Sequence, residues 1–157
     1  MKSILNEEDY TEIKNRIQKL PAASIRRWGK MDMQQMLIHC TIQLKLAVGE
    51  IPSQTQGSSF MRSGLGKLIL FSNMPWPKGA STPAEMNAAS GNFLLTDIET
   101  EKKELLDYLE KAKGKEQLLP HPFFGNLNRK EWTRLIYKHL DHQTKQQKLL
   151  LSYLQLK

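Results

Sequence analysis

The residues with chemistry to offer lie near the end of the chain, in a stretch that should be helical. From Asn128 to Leu156 there is no glycine or proline, and Asn128 with Glu131 forms an N-x-x-E capping pattern. Trp132, Ile136, His139, Gln143, Gln146, Leu150 and Tyr153 recur at alternating steps of four and three, which puts all seven on one helical stripe. A helix of that length spans roughly 40 Å at about 1.5 Å per residue. The stripe is apolar at both ends and polar in the middle. His139, Gln143 and Gln146 stand where a bundle would place Leu or Ile, and His142 lies one step to the side. Buried polar groups need hydrogen-bond partners, a ligand or water, because an unmatched one costs about 1–3 kcal/mol. Two readings follow: an internal polar pocket halfway along a bundle, or a helix that leaves the core there and meets solvent. A further histidine, His39, borders an apolar helical stripe beside Met36 and Gln43. Such a residue serves either as a hydrogen-bonded boundary group or as a ligand.

Helices upstream must position these groups. The first is expected over Glu7 to Gln18, with Asn6 as N-cap and with Glu7, Glu8 and Asp9 suited to the positive end of the dipole. Tyr10, Ile13, Ile17 and Leu20 form its inner face, and Pro21 ends it. Pro21 to Lys30, with Trp28-Gly29, is a connector. Asp32 opens the second helix with Gln35 as its capping-box partner; Met33, Met36, Leu37, Cys40, Leu44, Ala47 and Val48 form its stripe, and Gly49 stops it. Phe60 to Phe71 reads as a short helix weakened by Gly64 and Gly66. Pro75-Trp76-Pro77-Lys78-Gly79 must wrap over something, with Trp76 placed to cover one end of the bundle. A third long helix is expected from Thr96 or Asp97 to Lys113, with Ile98, Glu101, Leu105, Tyr108, Leu109 and Ala112 facing inward and Gly114 as its stop. An irregular loop with His121-Pro122-Phe123-Phe124-Gly125 then leads to Asn128. No stretch alternates like a strand. The expected class is all-α: an antiparallel four-helix bundle, one domain over residues 1–157, with a long irregular excursion at 51–92 between the second and third long helices.

Composition limits the function classes. Apolar residues make up 39% and charged residues 25%, as in ordinary soluble proteins. The single cysteine, Cys40, allows no intramolecular disulfide and fits a reducing, cytoplasmic setting. The segment MKSILNEEDY has no signal-peptide core, and the apolar patch at Leu65 to Phe71 is too short to span a bilayer. The net charge of +7 is spread along the chain, without a recognition-helix signature, an aromatic–glycine RNA motif or a Cys/His finger. It reads as a solvated basic surface rather than a nucleic-acid interface.

The order of motifs is Trp28, Met33-Gln34-Gln35-Met36-Leu37-Ile38-His39-Cys40, a Pro-Trp-Pro loop, HPFFG, Glu131-Trp132, and Tyr137-Lys138-His139-Leu140-Asp141-His142 followed by Gln146. This order resembles the DinB/YfiT-like superfamily. More closely it resembles an uncharacterised bacterial domain-of-unknown-function subfamily, whose C-terminal signature is close to HPFFG-L-EW-L-YKHLDHH-Q. The resemblance covers nearly the whole chain. It implies an antiparallel bundle, often dimeric, with a divalent metal (zinc, nickel, iron or manganese) held by three histidines. In better-understood relatives the metal activates a low-molecular-weight thiol for transfer to an electrophile. At most, then, the protein would be a metal-dependent transferase or hydrolase.

Carried over by residue, His39 matches the second-helix ligand and His139 the first ligand of the last helix. The third falls on Gln143, where the subfamily signature has histidine. A neutral amide oxygen is a poorer donor than an imidazole to zinc or nickel. His142, three residues from His139, can approach the same face only by rotating the site, and is better placed as a pocket group or as support for a ligand. Trp76, His121 and Gln146 complete the expected pocket, and Asp141 is a candidate to orient an imidazole. Cys40 follows His39 directly but lies about 100° away round the helix, so adjacency alone is no evidence of a nucleophile–base pair. Three outcomes stay open: a metal site completed by His142, Gln143 or water; a metal-free pocket that binds a small molecule or simply packs; or an unrelated binding role.

Overall fold

In a computed structural model, residues 1–21, 24–26, 29–52, 57–72, 74–76 and 97–149 are described. Trp28, Pro77 to Gly79, the rest of the central excursion from 80 to 96, and Leu150 and Tyr153 lie outside them. Among the described residues the protein is helical, with one short strand pair. The elements are α1 (Glu7–Gln18), β1 (Ser24–Arg26), α2 (Met33–Val48), α3 (Ser59–Arg62), α4 (Gly64–Leu70), α5 (Ile98–Gly114), α6 (Arg129–Gln146) and β2 (Gln147–Leu149).

The caps set the starts of the long helices. Asn6 Oδ1 accepts from the Asp9 N–H, and Asp97 from the Thr100 N–H. Asp32 with Gln35, and Asn128 with Glu131, form reciprocal capping boxes, so two orphan donors are satisfied at each of these helix starts. Gly49 closes α2 in the left-handed region at φ 86°, as C-terminal glycines commonly do.

α2 packs on α5 and α6, and α1 packs on α5 and α6. One continuous core joins Tyr10, Ile13 and Ile17 of α1, Met36, Leu37 and Leu44 of α2, Leu105 and Leu109 of α5, and Trp132, Leu135, Ile136 and Leu140 of α6. Because α2 is apolar on nearly every face, it is buried almost all round. Its second face, Ile38, Ile42 and Leu46, forms a separate small cluster with Ile51.

Two expectations change. The last helix ends at Gln146 instead of running on to Leu156, which makes it about 27 Å long at 1.5 Å per residue. The backbone becomes extended at Gln147, and Gln147–Leu149 pairs antiparallel with Ser24–Arg26 in the register Ser24↔Leu149. The segment from Phe60 to Phe71 is two helices rather than one. Ser63 breaks it, accepting from the Gly66 N–H as the N-cap of α4. A Cβ at Gly66 would overlap the Phe60 carbonyl, so this close turn requires glycine there.

Among the described residues no helix is long and apolar enough to cross a membrane.

Candidate functional site

α6 carries His139 and Gln143 one turn apart, and α2 brings His39 against them. All three are buried. The His39 and His139 rings meet edge to face at 4.9 Å, with their Nε2 atoms 2.9 Å apart. Gln143 Nε2 lies 3.3 Å from the same His139 nitrogen. The cluster lies within the packed interface of two core helices.

Its hydrogen bonds do not close internally. An imidazole nitrogen offers one lone pair or one proton, never both. If His139 Nε2 accepts, both His39 and Gln143 compete for a single lone pair, and the proton sits on His139 Nδ1. That atom is buried with no partner among the described residues. If His139 Nε2 donates, Gln143 must turn its amide oxygen inward, an orientation set by the network, and one proton must then serve two acceptors. Gln143 Oε1 and Gln43 Oε1 are likewise buried and unpartnered among the described residues. Each such atom costs about 1–3 kcal/mol. The arrangement is short of one group that can engage several donors or lone pairs at once.

Protonation does not supply that group. Burial holds the His139 pKa well below its ordinary value, and the charges of His39, His142 and His121 lower it further. Near neutral pH the His139 ring is uncharged, which is the state that can ligate a cation.

The two imidazoles and the amide fit a divalent ion. Zinc–nitrogen bonds of about 2.0–2.1 Å hold tetrahedral neighbours about 3.3 Å apart, so only a small separation of the two Nε2 atoms is needed. An ion would take the two Nε2 lone pairs and the Gln143 amide oxygen, and would leave the His139 Nδ1 proton without a partner among the described residues. Gln143 supplies an amide oxygen in place of a third nitrogen, which weakens the set. No group of three His, Cys, Asp or Glu side chains converges in metal-binding geometry among the described residues.

The indole of Trp76 sits beside this cluster, 5.8 Å from the His139 ring and 6.4 Å from the His142 ring. Beyond it opens a cavity of about 520 Å³ lined by Trp76, Tyr137, Lys138, Asp141, His142 and neighbouring residues. Trp76 and His142 are thus brought to one place beside His139.

The other expected pocket residues lie elsewhere. His121 closes the HPFFG turn: its Nδ1 accepts from the Phe123 N–H at 3.0 Å, and its backbone exchanges two hydrogen bonds with Gly125. Its ring packs on Phe124 and Trp132, and burial lowers its pKa to about 3. It is not a member of the His39–His139–Gln143 cluster. Gln146 is buried against Gly29, where a Cβ would overlap its amide nitrogen. Asp141 binds Arg16 at 2.5 Å and Lys145 at 2.7 Å rather than orienting an imidazole. Burial raises its pKa, but these hydrogen bonds outweigh that and hold it below its usual value. Cys40 is fully buried, its thiol pushed well up by burial and turned toward Met36 Sδ. It has no nucleophilic role in this state.

Sequence reasoning named Gln43 only as a neighbour of His39 and gave it no place in the site. It follows His39 by four residues, as Gln143 follows His139, so the pattern H-x-x-x-Q occurs on both helices. Both glutamines are buried with an unpartnered amide oxygen among the described residues.

A family model described as "Protein of unknown function (DUF1569)" matches residues 2–148. The chain belongs to the DUF1569 family. The match takes in all four histidines, both H-x-x-x-Q pairs and Trp76, so the cluster and its covering indole lie inside the DUF1569 domain. No curated protein and no solved structure matches the chain.

Proposed function

We propose that this DUF1569 protein is a bundle of the DinB/YfiT-like kind that binds one divalent metal ion through His39 Nε2, His139 Nε2 and the Gln143 amide oxygen. The ion would be zinc, nickel, iron or manganese. The site would act on a small molecule entering beside Trp76, with a low-molecular-weight thiol as the first candidate. The observation that carries this is the buried Gln143 amide oxygen, unpartnered among the described residues, beside the two facing imidazole Nε2 atoms. The packing of α2 and α1 on α5 and α6 is what such a four-helix bundle requires, and bundles of this kind often pair as homodimers.

A bound divalent ion lowers the pKa of a thiol or water and so supplies a nucleophile near neutral pH. The chain's own part is binding and exclusion. His39 and His139 present ring nitrogens from two different helices, and the surrounding core keeps bulk water away. Trp76 limits access to one side. His142 stands at the cavity wall, within reach of an entering molecule rather than of the cluster centre. Such a site would support transfer to an electrophile or a hydrolysis.

The second reading is metal-free. It is favoured by Gln143, since two imidazoles and one amide make a weak set, and a polar small molecule or trapped water would also satisfy the orphaned atoms.

Metal content of tag-free protein prepared without chelator, followed by calorimetric titration with the four ions, decides between them. The metal reading expects saturable binding that is lost in His39→Ala and His139→Ala. It also expects an affinity gain of about tenfold or more in Gln143→His, because an imidazole replaces an amide oxygen. The absence of binding to either wild type or Gln143→His would refute the metal reading and leave the metal-free pocket.

A further inference from the structure

The cavity beside Trp76 carries a charge pattern of its own, independent of any metal. Three carboxylates and three cations form a balanced web, of which Lys2, Asp141 and Lys145 line the cavity. Lys2 pairs with Asp9 and Glu12, Arg16 with Glu12 and Asp141, and Lys145 with Asp141. Lys138 stands outside this web. Its partly buried ammonium donates to the backbone carbonyls of Leu70 at 2.6 Å and Ser72 at 3.2 Å, and among the described residues no carboxylate pairs with it. An ammonium has three donors, so one remains for the cavity that Lys138 lines. The walls nearby are flat or apolar: the Trp76 indole, the Tyr137 ring, Met74 and Pro75.

We infer that this cavity binds a small monoanion, a carboxylate on a flat apolar body, with the carboxylate on Lys138 Nζ and the body against Trp76. The charge count favours an anion, since the web is neutral and Lys138 adds one uncompensated positive charge. The one lining side-chain cation without a carboxylate partner among the described residues matches a carboxylate monoanion better than a phosphate dianion. The volume of about 520 Å³ is of the size that encloses a small organic molecule. The overall charge of +7 helps to attract such an anion from solution.

The test uses the full chain in the presence of a chelator, so that no metal can hold the anion. The probes are 2-naphthoate, its neutral amide and 2-naphthyl phosphate, titrated by calorimetry against wild type, Lys138→Met, Lys145→Met and Trp76→Leu. Wild type is expected to bind naphthoate about tenfold or more tightly than the amide, the amount that one charge-assisted hydrogen bond supplies. Lys138→Met should abolish that preference. Lys145→Met, which leaves the web one positive charge short, should weaken the preference without abolishing it. Trp76→Leu should weaken both naphthoate and amide. Three results would overturn the inference: equal binding of naphthoate and amide by wild type, a tenfold advantage for the phosphate, or no saturable naphthoate binding up to about 5 mM. Each is measured on wild type, so misfolding of a variant cannot produce it. A naphthoate preference that appears only when metal is restored also refutes Lys138 as the anchor, while supporting the separate metal reading.

Discussion

Lowering the pH should destabilise the protein through His121, and the size of the effect follows from its surroundings. Its ring is buried between Phe124 and Trp132, and its Nδ1 already accepts from the Phe123 amide. The folded state takes up a proton there only near pH 3, whereas the unfolded chain does so at about 6.5. Between those values the unfolded state binds more protons, so stability falls as pH falls through the window and does not depend on this group above it. Two pH units below 6.5 the loss is about 2.7 kcal/mol, at about 1.4 kcal/mol per unit. His121→Asn removes the titration but keeps a side-chain oxygen able to accept from Phe123. At pH 7.5 this variant should be less stable than wild type by about 1–3 kcal/mol, because the ring packing is lost. At pH 4.5 the gap should have narrowed by about 2.7 kcal/mol. His139 titrates in the same direction in both proteins, since burial is the largest cause of its shift and His121 the smallest of those acting on it. Urea unfolding followed by circular dichroism at the two pH values measures the gap directly. A gap that stays constant between pH 7.5 and 4.5 would refute the claim that His121 is held neutral by burial.

Other predictions concern packing around the site. Gly29→Ala should lower the thermal midpoint, since φ is 81° and the added methyl would overlap the Gln146 amide; the left-handed backbone alone costs about 1–2 kcal/mol. Adding Gln146→Ala to it should recover the overlap but not the backbone part, and full additivity of the two losses in a double-mutant cycle would contradict the contact. Trp132→Phe should cost about 1–3 kcal/mol beyond the small volume change, because the indole N–H donates to the Leu119 carbonyl at 2.9 Å and would leave that acceptor bare. An unfolding free energy equal to wild type would show that water takes the place of the indole.

Where the fold is set by local signals, the sequence displays it. Asn6, Asp32, Asp97 and Asn128 each bear a side chain that can cap a helix start, and each does. The end of α6 was hidden for the opposite reason. Gln147 to Leu149 contains no breaker, and it leaves the helix to pair with Ser24 to Arg26, residues distant in sequence that no local pattern can announce. The His39–His139 pairing was legible through a resemblance of motifs, since nothing in the spacing of either helix requires the two rings to meet. Gln43 was obscured because α2 is buried all round, so that a polar residue there shows no clear side. His121 read as a pocket group from its residue type. Its role in closing the turn depends on two backbone amides just downstream, which the positions of the histidines alone do not reveal.

The strand pair has a consequence for the order of folding. Ser24 meets Leu149, and Ile4 donates its backbone N–H to the Thr133 carbonyl at 3.3 Å, so the first and last parts of the chain are stitched together twice. Simple helical bundles reach their native contacts quickly because most lie close in sequence. Here two backbone connections wait on closure of loops more than a hundred residues long, and α6, which carries His139 and Gln143, leaves the ribosome after α1, α2 and α5. The histidine pair, also separated by 100 residues, forms under the same delay. During synthesis α2 therefore holds His39 without its partner ring until α6 arrives, and the polar cluster is assembled in the same step that lets Gln147–Leu149 pair with Ser24–Arg26.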